Sequence, residues 1–146
     1  MATFSAADLG TKPRHMGGYG NAVVEWGDVT PTAGALGDIY RPLVIPGGLL
    51  VTDICINFPD MDSGSAMAVK IGYSPVNADD GPAADDDYFQ AANTFISGAA
   101  GSRWLVFDPI KFERPVFLII TVTTAATGFA SGKLTAKVYG DGLGIK

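Results

Sequence analysis

The sequence predicts an all-β fold: an antiparallel β-sandwich of jelly-roll type, with about eight strands and an extended N-terminal arm. Two observations carry the prediction. Apolar residues alternate with polar ones at a period of two, the spacing of a strand whose faces meet core and solvent in turn. The 146 residues also include nineteen Gly and nine Pro, which punctuate short β-favouring runs at the intervals of a two-sheet fold.

The elements follow in order. Residues 1–20 have no strand or helix period, and Phe4, Leu9, Met16 and Tyr19 are scattered among small residues. They read as an arm without a core of its own, whose apolar side chains would anchor on a neighbouring subunit. Residues 21–140 form the sandwich domain, and 141–146 form a short tail. Residues 21–26 make a first strand on which Ala22, Val24 and Trp26 share a face. Residues 38–45 make a second; Pro42 inside it favours an edge or a bulge, because it cannot donate to a ladder. Pro46-Gly47-Gly48 reverses the chain, with proline fixing φ and glycine free to take it positive.

Residues 49–58 are the centre of the pattern. Leu50, Ile54, Ile56 and Phe58 are expected on one face, with Asp53, Cys55 and Asn57 on the other. Met67, Val69, Ile71 and Tyr73 repeat the alternation. Residues 74–87 read as the longest irregular stretch, and 88–90 as a short strand. Residues 103–112 form a strand bent by Pro109, with Trp104 and Val106 alternating against Leu105 and Phe107. Residues 116–124 are apolar on both sides, as in a central strand or a face that meets a partner. Residues 133–139 close the domain, with Leu134, Ala136 and Val138 inward and Lys133, Thr135, Lys137 and Tyr139 outward. Helical periodicity goes no further than a turn near residues 87–93.

Composition bounds the function. Hydrophobic residues are 47% of the chain and charged residues 17%, too apolar for a disordered chain and pale enough in charge to suggest a surface covered by partners. The net charge is −5 and the ten Lys and Arg are dispersed, so no cationic groove for nucleic acid is expected. No apolar run reaches membrane-spanning length, and residues 1–10 lack the basic start and apolar stretch of a signal peptide. Synthesis in a cytoplasm, with use there or in something assembled there, is the expectation. Cys55 is alone and reads as a small, partly buried side chain.

Chemistry is sparse. His15 is the single histidine and lies in the arm, so neither a Ser-His-Asp site nor a zinc site is expected. Phosphate-binding glycine motifs are missing too, and no cofactor or enzymatic role is expected. Asp79, Asp80, Asp85, Asp86 and Asp87 could supply carboxylate oxygens to calcium. Their spacing does not match an EF-hand loop, and a solvated acidic loop explains them more simply.

Residues 39–53 (Ile-Tyr-Arg-Pro-Leu-Val-Ile-Pro-Gly-Gly-Leu-Leu-Val-Thr-Asp), Val69-Lys70-Ile71-Gly72-Tyr73-Ser74, Asp87-Tyr88-Phe89 and residues 119–128 together resemble small virion proteins of tailed bacteriophages that are encoded among head genes. The similarity spans roughly residues 36–139; the arm and the 79–87 insertion fall outside it. It implies a capsid decoration, or cement, protein: a β-sandwich or jelly roll that binds the outside of the capsid shell, with the major capsid protein as partner and a homotrimer as the favoured assembly. The competing reading is a carbohydrate- or receptor-binding jelly-roll module of a head fibre or tail accessory protein, using the loops at 79–87 and 91–103.

Overall fold

The computed structural model describes residues 1–5 and 21–145. Among them lie eleven strands and no helix. In chain order they are β1 (Thr3–Ser5), β2 (Ala22–Val29), β3 (Ile39–Arg41), β4 (Val44–Ile45), β5 (Leu49–Phe58), β6 (Ala68–Pro75), β7 (Asp85–Asn93), β8 (Gly101–Trp104), β9 (Ile110–Lys111), β10 (Val116–Thr124) and β11 (Leu134–Gly142). One sheet runs β1-β3-β10-β6-β7, with β4 also on β10; the other runs β2-β11-β5-β8, with β9 also on β5. Joining β3 to β4 and β8 to β9, and setting β1 aside, leaves the expected eight strands. Numbered one to eight along the chain, they lie 2-7-4-5 in one sheet and 1-8-3-6 in the other, the double Greek key of a jelly roll.

The core lies between the sheets. Tyr40, Ile45, Val69, Ile71, Phe89, Leu118 and Ile120 meet Leu49, Val51, Ile54, Ile56, Leu134, Ala136 and Val138, all buried. Strand β10 is central, between β3/β4 and β6. Gly48 takes the positive φ the turn requires (84°).

Several expectations are corrected. Leu50 does not face the core; Leu49 and Val51 do. The ladder between β5 and β11 pairs Asp53 with Tyr139 and then Val51 with Gly140, so Thr52 is an extra residue that flips the face. On β2 the expectation holds that Ala22, Val24 and Trp26 share a face; it is the outer one, because Val23 and Val29 point inward. The single strand expected at 103–112 is two pieces, β8 and β9. The irregular stretch expected at 74–87 is shorter, because β6 extends to Pro75 and β7 begins at Asp85; the turn-length helical pattern at 87–93 is part of β7.

The first residues also differ from a free arm. Strand β1 pairs in parallel with β3, Ala2 N–H donates to Asp38 Oδ1 (2.8 Å), and the Phe4 ring lies 5.9 Å from Tyr40. Phe4 is therefore packed within its own chain. At the other terminus, β11 continues to Gly142 and Leu143 N–H bonds the Gly48 carbonyl (2.8 Å).

Candidate interaction surfaces

The outward face of the five-stranded sheet follows from strand alternation. Core-facing positions are taken by Val23, Ile54, Ile56 and Val138, so the residues between them must face out. The ladder registers set Trp26 beside Lys137, Lys137 beside Cys55, and Cys55 beside Trp104. The neighbouring row sets Val24 beside Tyr139 and Tyr139 beside Asp53. The Trp104 and Tyr139 rings sit 5.4 Å apart, tilted by 32°. Trp104 is 57% exposed, Trp26 50%, Val24 54%, and Val106, just beyond β8, 94%.

This face presents indole, phenol and isopropyl groups, interrupted by Lys137 and Asp53. Large rigid side chains of this kind bury much area for little lost rotamer freedom, as contact residues do. Cys55 lies between Lys137 and Trp104 yet is nearly covered, at 6% exposure. Burial pushes its thiol pKa up, against the lowering effect of Lys137, so the thiol stays protonated and unreactive.

A second surface lies at the end of the sandwich where β6 leads into β7. The acidic residues expected as weak metal ligands are found there, but apart. Asp80 pairs with Arg114 (3.1 Å) and Asp86 with Lys70 (2.7 Å). Asp85 Oδ1 accepts the Asp87 N–H (3.4 Å), and the Asp79 N–H donates to Asn77 Oδ1 (3.1 Å). No group of three or more metal-ligating side chains forms among the described residues. Beside this segment, burial pushes the Tyr73 phenol up, and the charge of Asp85 adds to the effect.

The opposite end holds the fully buried carboxylate of Asp62. Its Oδ1 accepts the N–H groups of Gly64 (3.0 Å) and Gly128 (2.7 Å), and its Oδ2 those of Ala66 (2.9 Å) and Met67 (2.8 Å). Thr127 Oγ1 donates to Oδ1 as well (3.4 Å). Burial raises the pKa of this group, but the four backbone donors more than reverse that and hold it well below the usual carboxylate range. With every lone pair engaged, Asp62 is a knot between loops.

Of the partner-anchor residues expected from sequence, Phe4 belongs to β1, and Leu9, Met16 and Tyr19 lie outside the described residues, as does His15. The residues sequence reasoning passed over are Trp26, Trp104, Val106 and Val24. Their alternation was visible; which side of it met the core was not.

No family model matches the chain, and no curated protein matches it. Two solved structures do. A chain of the capsid of Ralstonia phage GP4 superposes with a TM-score of 0.75 at 21% identity, covering 99% of this chain and 100% of that one. A chain of the cyanophage Pam1 capsid asymmetric unit superposes with a TM-score of 0.67 at 20% identity, covering 90% of this chain and 91% of that one. The jelly roll described here is thus a fold that phage capsids contain.

Proposed function

We propose that this chain is a non-enzymatic structural subunit of a phage virion, and that it binds the outside of the capsid as a decoration, or cement, protein. One observation carries the reading: the fold match with a phage capsid chain runs the whole length of both chains. The exposed Trp26, Trp104 and Val106, with the half-buried Tyr139, support it by offering an amphipathic surface that a shell protein could cover. Charged residues are few, as suits a surface meant to be covered. The major capsid protein is the proposed partner and a homotrimer the proposed assembly, since repeated weak contacts on one lattice multiply into strong attachment.

The test uses capsids of the phage that encodes the chain, prepared without it. The purified protein should co-sediment with them and raise the temperature at which they release DNA. Trp104→Ala combined with Val106→Ser should leave the fold intact and weaken binding by roughly tenfold or more, the loss of an aromatic anchor. Wild-type protein that stays in the supernatant would sink the decoration reading. Light scattering tests the trimer separately.

A further inference from the structure

The geometry points to a second binding site, at the acidic end, for an extended protein segment that carries one large apolar side chain flanked by Lys or Arg. A hollow of about 290 Å³ opens there. Tyr73, Ile110 and Phe112 supply apolar surface to it, Pro82 forms a wall, and Lys111 and Arg114 stand among its lining residues. Tyr73 and Phe112 are fixed: their rings meet edge to face at 4.8 Å, and both are buried in the core. The hollow is therefore preformed, with room for a single large side chain and its backbone.

Charge selects what enters. Three cations, two of them lining the hollow and one on β6, are each held by a carboxylate: Lys111 by Glu113 (2.8 Å), Arg114 by Asp80 (3.1 Å) and Lys70 by Asp86 (2.7 Å). Asp79, Asp85, Asp87 and Asp108 have no cation within ion-pair distance among the described residues. Two of them lie close to the hollow. The charge of Asp85 bears directly on the Tyr73 phenol, and the Asp108 carbonyl accepts the Tyr88 hydroxyl (3.1 Å), whose ring packs 5.8 Å from Tyr73. An apolar hollow under a surplus of negative charge rejects acidic segments and draws basic ones. The tryptophan-bearing sheet face has no such surplus, so the two surfaces fit different chemistry. Assigning the segment to the shell partner rests on the virion reading above; the site itself does not.

The experiment needs no capsid. Isotope-labelled protein is titrated by NMR with a short peptide carrying a leucine between two pairs of lysines. Amide shifts should appear around residues 73–88 and 108–115, and affinity should fall roughly fivefold or more between low and physiological salt, as screening predicts. Glutamate in place of the lysines, or glycine in place of the leucine, should abolish binding. So should Ile110→Arg, which places a cation in the hollow at a half-exposed position; its spectrum reports whether it is folded. The triple variant Asp85→Asn/Asp87→Asn/Asp108→Asn should weaken binding and flatten the salt dependence. No shifts at millimolar peptide, or equal binding of the glutamate peptide, overturns the site. A trimer that Ile110→Arg dissociates would identify a second copy as the occupant and overturn the assignment to the shell. Peptide binding without capsid binding would defeat the decoration reading and leave this site standing. Capsid binding without peptide binding would do the reverse.

Discussion

The two ends of the sandwich use carboxylates in opposite ways. At the Asp62 end, four loops, at 30–38, 59–67, 94–100 and 125–133, are tied by hydrogen bonds to the backbone. Met61 N–H bonds the Ile96 carbonyl (3.0 Å), Ala130 N–H the Met61 carbonyl (3.0 Å) and Ala126 N–H the Gly34 carbonyl (2.9 Å). Asp60 Oδ1 takes the Gly98 N–H (3.0 Å). At the other end the carboxylates are more numerous, exposed or half-exposed, and paired with flexible cations or left alone. A buried anion surrounded by fixed amides fastens a structure, whereas exposed anions mainly create a field. Stability should therefore be concentrated at one end and electrostatic selectivity at the other.

The largest expected effect tests the first half of that statement. Asp62→Asn keeps the shape but turns one acceptor atom into a donor facing amides that also donate. The melting temperature should fall on the order of 10 °C, read by circular dichroism at neutral pH. The pH dependence has a definite sign. The folded-state pKa of Asp62 is depressed, so its contribution is complete above the unfolded value near 3.9 and is lost as pH falls toward the folded value. The gap between wild type and Asp62→Asn should be constant from about pH 5 to 7 and narrow in stronger acid. A variant that melts like wild type would break the comparison.

Gly72 gives the next largest effect and concerns the acidic end. Strand β7 is bulged twice where it pairs with β6, and its first residues pass so close to Gly72 that a Cβ there would run into the Asp85 carbonyl and the Asp86 backbone. Gly72→Ala should cost about 1–3 kcal/mol by urea unfolding, as overpacking does. It should also displace the 85–87 segment, so binding of the lysine peptide should drop with it. A loss of stability without a loss of binding would separate the segment's position from its charge.

Much of the fold was legible because strand alternation and turn residues are local. Val69, Ile71, Leu134, Ala136 and Val138 fell where their spacing put them. What failed was decided by a partner strand. Thr52 bulges because of how β5 meets β11, and nothing near Thr52 in sequence announces it. The pairing of β1 with β3 joins residues 3–5 to 39–41, a contact that no periodicity within residues 1–20 encodes. For the candidate surfaces, the acidic segment was visible as composition, but the apolar hollow beside it was not, since Tyr73, Pro82 and Ile110 converge from three parts of the chain. Asp62 carries no local signal of its role, because one of its donors, the Gly128 N–H, lies 66 residues away.

The smallest expected effect sharpens the second half of the comparison. Arg114 and Asp80 form an ion pair at 3.1 Å with side chains 50% and 63% exposed. Water and salt screen such a pair, and holding two long side chains in register offsets most of what remains. Arg114→Ala should change unfolding stability by less than about 0.5 kcal/mol. It nevertheless removes a positive charge from the rim of the hollow and leaves Asp80 uncompensated. Binding of the lysine peptide should therefore tighten modestly at low salt, and the gain should vanish as salt is raised. Stability that drops as steeply as for Gly72→Ala would mean that the acidic end is held by its ion pairs after all. Unchanged stability with tighter, salt-sensitive binding would mean that its charges act on a partner rather than on the fold.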